Sequence, residues 1–261
     1  MSKMHDDEPE VRLAGGNMGG AVRIGQTVRR QAGPWTSTIH ALLKWLRSHG
    51  ATDIVPEPLG LDDHGREIVR FFPGETFPDE PPPWIWNDDI LISSGELLRR
   101  IHDASLGFLD SPAVKHPVWQ LPIHYPAEVI CHNDPAPYNF IFNEQQISAV
   151  IDWDTAAPGP RIRDLAYLAY RMVPFASDAV LIRPLNQEKR LSDLIAAYGF
   201  PYTNREVFEA MSARLEELAD FSDSLARTSG NDELNSHAKR YRADANAIRP
   251  PDPMFAYRDA F

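Results

Sequence analysis

The stretch that most constrains this chain is Cys131-His132-Asn133-Asp134-Pro135-Ala136-Pro137-Tyr138-Asn139. It sets His132, Asp134 and Asn139 in the spacing H-x-D-x-x-x-x-N, which about 3% of shuffled chains of this composition would meet by chance. The context makes chance a poor explanation. Thirteen residues after Asn139, the apolar, strand-like stretch Ile147–Trp153 carries Asp152 near its end, within Ile151-Asp152-Trp153-Asp154. Gly159 and the triplet Asp164-Leu165-Ala166, which opens a helix, follow. A fold for this chain has to bring a carboxamide and carboxylates from two loops together.

The rest of the chain divides in character near Pro73-Gly74. Before it, Val11–Ala14, Ala21–Ile24 and Thr27–Arg30 read as short strands, with Gly25-Gln26 as a hairpin turn. Thr36 is a candidate N-cap for a helix whose apolar face is Ile39, Leu42, Leu43 and Leu46, closed by Gly50. Two further strands are expected around Asp53–Leu61 and Glu67–Phe72, joined by the turn Asp62-Asp63-His64-Gly65. After a proline-rich stretch, Pro78–Pro83, the chain turns helical, first along the face Ile90, Ser94, Leu97, Leu98 and Ile101. Ala127–Cys131 has strand character, helices fill most of Arg163–Arg227, and the tail from Asn246, with three prolines, reads as irregular. The expectation is an α+β chain of two lobes: a five-stranded antiparallel sheet lobe, residues 1–74, and a larger, mainly helical lobe, residues 75–261.

The residue types of the central motif suit phosphoryl transfer from a nucleotide. That chemistry needs Mg²⁺ on the phosphates and a carboxylate to orient the attacking hydroxyl. Mg²⁺ takes hard oxygen ligands, one or two of them carboxylates, so Asn139 and Asp152 are candidate ligands and Asp134 is left as the candidate base. With these residues in view, the chain resembles the aminoglycoside phosphotransferase and choline-kinase-like superfamily, relatives of the protein kinases. The likeness runs from about Leu13 to at least Tyr170 and is sharpest at His132–Asn139, Ile151–Asp154 and Asp164-Leu165-Ala166. Leu98-Arg99-Arg100-Ile101-His102 resembles the family's L-x-x-L-H helix, and Thr27–Trp35 resembles a string that one branch of these phosphotransferases carries before its first helix.

The resemblance implies a bilobal protein-kinase-like fold, with ATP or GTP as co-substrate, Mg²⁺ as cofactor and a small-molecule hydroxyl as acceptor. It implies Asp134 as catalytic base, Asn139 and Asp152 as metal ligands, and His132 and Asp164 as residues that support the loop. Asp154 is either a second metal contact or a structural acid. The cluster Gly15, Gly16, Asn17, Gly19 and Gly20 becomes the hairpin that covers the phosphates, where missing side chains let backbone N–H groups approach. Phe72, in Phe71-Phe72-Pro73-Gly74, becomes part of the hinge that reads the base. Two departures stand out. Arg29 holds the expected place of the phosphate-binding Lys, with Arg30 beside it, and the first helix has no acid to pair with it, which leaves Glu57 as a candidate partner.

Composition narrows the partners. With 26 Lys+Arg against 37 Asp+Glu the net charge is −11; nine of each sign lie before Glu75, so the excess belongs to the helical lobe. This opposes a nucleic-acid partner and admits a cationic acceptor such as an aminoglycoside, choline or an amino sugar, although a solvated acidic surface explains it as well. No apolar run is long enough to span a membrane, and the polar, acidic start is unlike a leader, so a cytoplasmic location is expected. A single Cys131 leaves no disulfide within the chain and reads as a buried thiol. Two other readings use the same motif: a nucleotide-binding protein without catalysis, and a hydrolase holding a transition metal on His132, Asp134 and Asp152. The last requires His132 to face the metal.

Overall fold

The structure is a computed structural model and describes residues 9–13, 20–77, 81–112, 114–179, 181 and 184–248. Its first lobe is one sheet of β1 (Val11–Arg12), β2 (Val22–Ile24), β3 (Thr27–Gln31), β4 (Pro58–Leu61) and β5 (Arg66–Arg70), in the order β1-β2-β3-β5-β4 with every pair antiparallel. The turn at Gly25 and the turn closed by the Asp62 side chain on the His64 and Arg66 N–H groups fix two of the hairpins. In the central pair Arg30 stands opposite Glu67 and Arg29 opposite Ile68, so the two arginines leave opposite faces of the sheet.

Helix α1 (Thr36–Leu46) buries Ile39, Leu42, Leu43 and Leu46, as the periodicity requires. Its cap differs from expectation. Trp35 is the capping residue and Thr36 the first helical one, because the Thr36 hydroxyl accepts the Gly33 N–H at 2.9 Å and braces the preceding turn. The helix then widens into a π-turn over 47–51 that breaks where Gly50 takes φ +104°. The two strands that follow are shorter than the sequence suggested, starting at Pro58 and ending at Arg70.

The connection to the second lobe is a backbone bridge. Glu75 N–H donates to Phe142 O and Phe142 N–H to Glu75 O, both at 2.9 Å. Gly74, at φ +142°, permits that approach: a Cβ there would stand 2.5 Å from Phe142 O. Phe72 sits half-buried just before the bridge. Beyond it come α2 (Asp88–Ala104), β6 (Val129–Cys131), β7 (Phe140–Asn143), β8 (Gln146–Val150), β9 (Ala157–Gly159), α3 (Arg161–Met172), α4 (Gln187–Tyr198), α5 (Asn204–Ser229) and α6 (Glu233–Ile248). β6 pairs with β9 and β7 with β8, the latter through a tight turn in which Glu144 and Gln145 both take positive φ.

Contacts within one apolar cluster join the lobes, from Leu42, Leu43 and Leu46 of α1 to Leu91 and Leu98 of α2, then Leu165 and Leu168 of α3 and Leu191 and Leu194 of α4. Each such side chain, fully buried, stabilises the fold by about 1.5–3 kcal/mol. Helix α5 begins in a capping box, Thr203 with Glu206. Helix α6 runs to Ile248 rather than dissolving at Asn246, because Ala245 is buried and the Asp244 carboxylate accepts the Tyr170 hydroxyl at 2.6 Å. Among the described residues no helix is long and apolar enough to cross a membrane.

Candidate active site

The motif His132–Asn139 is the connection between β6 and β7, and Asp152 and Asp154 follow directly on β8. Strand pairing therefore delivers the two acidic segments side by side: Ile151 N–H donates to Asn139 O at 2.9 Å. Trp153 turns inward and is buried, its indole N–H on Val150 O and its ring against His132, while Asp152 stays exposed and Asp154 partly so. Asn133 and Asp152 both adopt positive φ, a conformation that Asn and Asp tolerate better than other side-chain residues.

Asp164 anchors the loop from α3. Fully buried, it accepts the backbone N–H groups of His132 (2.6 Å) and Asn133 (2.8 Å) and lies 3.1 Å from His102 Nε2. Burial pushes its pKa up, but the bonds from His102 and the His132 backbone outweigh this and hold the carboxyl below the ordinary range. The His102 Nδ1 atom is 2.7 Å from the Tyr198 hydroxyl, so the His of the L-x-x-L-H helix is tied in at both nitrogens. His132 itself is 1% exposed; Nε2 lies 2.9 Å from Ile151 O, and Nδ1 receives the Asp134 N–H at 3.3 Å. Neither nitrogen is offered to a metal, which removes the hydrolase reading. Arg163 and Arg214 grip Asn133 through its carboxamide (2.8 Å) and its carbonyl (2.9 Å).

Asp134 lies at the centre. Its Oδ2 accepts Asn139 Nδ2 at 2.9 Å, and Asn139 Nδ2 also reaches Asp134 O at 2.9 Å. Its Oδ1 accepts the Tyr138 hydroxyl at 2.6 Å, and Tyr138 Oη is 2.9 Å from Tyr167 Oη. Burial drives the Asp134 carboxyl above the ordinary range, with the Asp152 charge acting in the same sense. Asp154 is likewise raised, by burial first and by the Asp152 and Glu67 charges, against the pull of Arg30.

The sheet lobe contributes Arg30, where Arg29 was expected. Arg30 donates to Asp152 Oδ1 at 2.9 Å and to Asp154 Oδ1 at 2.7 Å, while its Nε bonds Glu67 Oε2. Glu67 is 1% exposed and lies 2.9 Å from His40 Nε2 on α1. Burial raises the Glu67 pKa, but His40 and Arg30 outweigh it and hold the group below the usual carboxylate range. The structure does not bring Arg29 to this cluster. Its guanidinium bonds the Thr27 hydroxyl and lies 3.8 Å from Asp62, on the other face of the sheet, because adjacent strand residues point to opposite sides. Glu57 is engaged with Arg70 at 2.6 Å, so the acid that positions the cationic residue is Glu67, with His40 of the first helix behind it.

Gly15, Gly16, Asn17 and Gly19 lie outside the described residues; Gly20 is described and exposed, two residues before β2. Cys131 is buried beneath the loop, its thiol pushed upward in pKa by burial. The side chains of this cluster to which the sequence assigns no role are Arg30, Glu67, His40, Tyr138 and Tyr167. The first two become visible once the β3–β5 register is known. Tyr138 stands inside the motif itself, and Tyr167 one helical turn after Asp164.

Residues 110–208 match the model of the phosphotransferase enzyme family. The trifolitoxin immunity protein of Rhizobium leguminosarum bv. trifolii is 32% identical over 155 residues, 57% of this chain and 56% of that protein. The match thus spans about half the length of that relative. The fold is similar to that of a choline/ethanolamine kinase family protein from Mesorhizobium loti (TM-score 0.65, 19% identity, 96% of this chain and 90% of that one). It is also similar to that of an aminoglycoside 2'-phosphotransferase-IIIa solved as its GDP complex (TM-score 0.61, 14% identity, 92% and 93%). The segment that matches the family model carries the loop His132–Asn139 together with Asp152, Asp154 and Asp164, and the fold around it is similar to that of these kinases.

Proposed function

We propose that this chain is a small-molecule kinase, transferring the γ-phosphate of ATP or GTP to the hydroxyl of an acceptor. The observation that carries the reading is the convergence of Asp134, Asn139, Asp152 and Arg30 from two loops and a strand of the facing lobe. The chain divides on this reading at Gly74, into a nucleotide lobe, residues 1–74, and an acceptor lobe, residues 75–261.

The donor set fits Mg²⁺. Asn139 spends its N–H₂ on Asp134, which would leave its carbonyl oxygen for a cation, and Asp152 is a half-exposed carboxylate on which the Arg30 guanidinium already places positive charge. When bound, the ion neutralises charge on the transferred phosphate and its leaving group. Everything else falls to the chain. Asp134, fixed at both oxygens, orients the attacking hydroxyl and takes its proton. Arg30, held by Glu67 with His40 behind it, is the fork of donors for phosphate oxygens in the place of the usual Lys, and it is permanently charged. The glycine-rich stretch at 15–20, of which only Gly20 lies among the described residues, is assigned to the nucleotide phosphates, and Phe72 to the hinge that meets the base.

The acidic excess of the helical lobe puts cationic alcohols first among acceptors, namely choline, aminoglycosides and amino sugars. The wall next to Asp134 is nonetheless built of Tyr138, Tyr167 and Arg171, so neutral alcohols belong in the same screen. The test offers ATP or GTP with Mg²⁺ and each acceptor class, and follows ³¹P spectra. The expected result is a nucleoside diphosphate and a phosphomonoester appearing in step. Absence of both across nucleotides and acceptors would count against the reading.

A further inference from the structure

Both oxygens of the candidate base are engaged by the chain itself. Asn139 serves Oδ2, and Tyr138 donates its phenolic proton to Oδ1 at 2.6 Å. A hydroxyl within hydrogen-bonding reach of the base is what an acceptor must present for its proton to be taken. Tyr138 holds that position with a hydroxyl of its own. It is held there in turn: its Oη is 2.9 Å from Tyr167 Oη, and the Arg171 guanidinium lies over its ring, 5.6 Å from the centroid, fixed by Asp178 at 2.9 Å. The Tyr167 ring is buried and Tyr138 is half-buried, so the phenol covers the Oδ1 side of the base.

A bond from a hydroxyl to a carboxylate is of the strong, charge-assisted kind. Water can offer Asp134 nothing better than the phenol already offers. An acceptor molecule can, because contacts made by the rest of the acceptor contribute free energy toward displacing it. We propose that Tyr138 is a specificity-determining residue whose phenol keeps the acceptor position on Asp134 closed to water and yields it to an acceptor hydroxyl. This rests on the phosphotransferase reading. The reaction suppressed is hydrolysis: a water oxygen bonds to the γ-phosphorus, the bond to the β-phosphate oxygen breaks, and the water proton passes to Asp134.

The experiment measures MgATP hydrolysis without an acceptor in the wild type, in Tyr138→Phe and in Tyr138→Phe with Asp134→Asn, alongside MgATP affinity by calorimetry. Tyr138→Phe keeps the ring beneath Arg171 and removes only the hydroxyl. Hydrolysis is expected to rise on the order of tenfold, below the 10²–10⁴-fold that a fully positioned base contributes, with affinity unchanged. The double variant is expected to lose the gain. Hydrolysis at or below the wild-type rate with affinity intact would overturn the proposal and leave Tyr138 as a residue that merely steadies Asp134. A wild type that binds neither MgATP nor MgGTP would fail at the calorimetry step and overturn the phosphotransferase reading, and the proposal with it; if only MgGTP binds, hydrolysis is measured with that nucleotide. Should Tyr138→Phe not fold, Tyr167→Phe carries the test by loosening the phenol from behind: a smaller rise supports the proposal, and no rise overturns it.

Discussion

Asp134→Asn is expected to lower phosphoryl transfer by about 10²–10⁴-fold, a barrier increase of about 2.7–5.5 kcal/mol, while leaving nucleotide affinity essentially unchanged. Asn has nearly the shape of Asp but cannot accept the hydroxyl proton. It can still accept the Tyr138 phenol at one atom, while its N–H₂ faces Asn139 Nδ2, a donor against a donor. On the nucleotide side, Asn139 keeps its bond to the backbone carbonyl of residue 134, and Asp152, Asp154 and Arg30 form their own ion-pair cluster. Loss therefore belongs in kcat rather than in nucleotide binding. Steady-state rates at saturating nucleotide, set beside a binding isotherm, check both halves. An affinity loss equal to the rate loss would mean that Asp134 supports the nucleotide instead of the reacting hydroxyl.

Asp164→Asn is expected to destabilise the fold by about 3–5 kcal/mol, the cost of removing one partner from a buried charged network. The carboxylate receives donors from His132, Asn133 and His102, and a carboxamide can satisfy only part of that set. For a chain of this size each kcal/mol lowers Tm by about 2–4 °C. The pH dependence has a definite sign. The folded-state pKa of Asp164 lies below the ordinary carboxylate value, so its stabilisation is complete above the unfolded-state pKa and is lost as pH falls through the folded-state one. Urea melts at pH 7 and at a series of pH values below 3.8, the ordinary carboxylate value, should show the wild-type advantage over the variant shrinking on the acid side. A gap that stays constant or widens on acidification would show that Asp164 acts through packing, not through its charge.

Much of this was legible in the sequence because it depends on local spacing. The loop between two apolar stretches, the acid after the second and the Asp opening the next helix are fixed by chain distance, and the structure brings His132, Asp134, Asn139 and Asp164 into one network, with Asp152 set beside it by the backbone bond from Ile151 to Asn139. The five strands and the first helix follow from periodicity and turn chemistry in the same way. Arg30 was not legible. Choosing it over Arg29 needs the strand's absolute facing, and a one-residue error exchanges the two faces of a strand. Its acid, Glu67, comes from the strand opposite, whereas a search confined to the first helix finds only His40. Tyr138 and Tyr167 escaped for another reason: tyrosine is an ordinary packing residue, and only the 2.6 Å and 2.9 Å contacts distinguish these two. β9 was missed because a three-residue strand containing Pro158 carries no periodic signal.

The measurement closest to the central claim is a thermal-shift titration with ATP and with GTP, each with and without Mg²⁺, on the wild type and on Asp152→Ala. Ligand at 100 times its Kd stabilises the folded state by about 2.7 kcal/mol, which is readily seen as a rise in Tm. A shift for at least one nucleotide is expected, requiring Mg²⁺ and disappearing when Asp152 is removed. No shift with either nucleotide, or a shift that is the same without Mg²⁺ and in Asp152→Ala, would contradict the account.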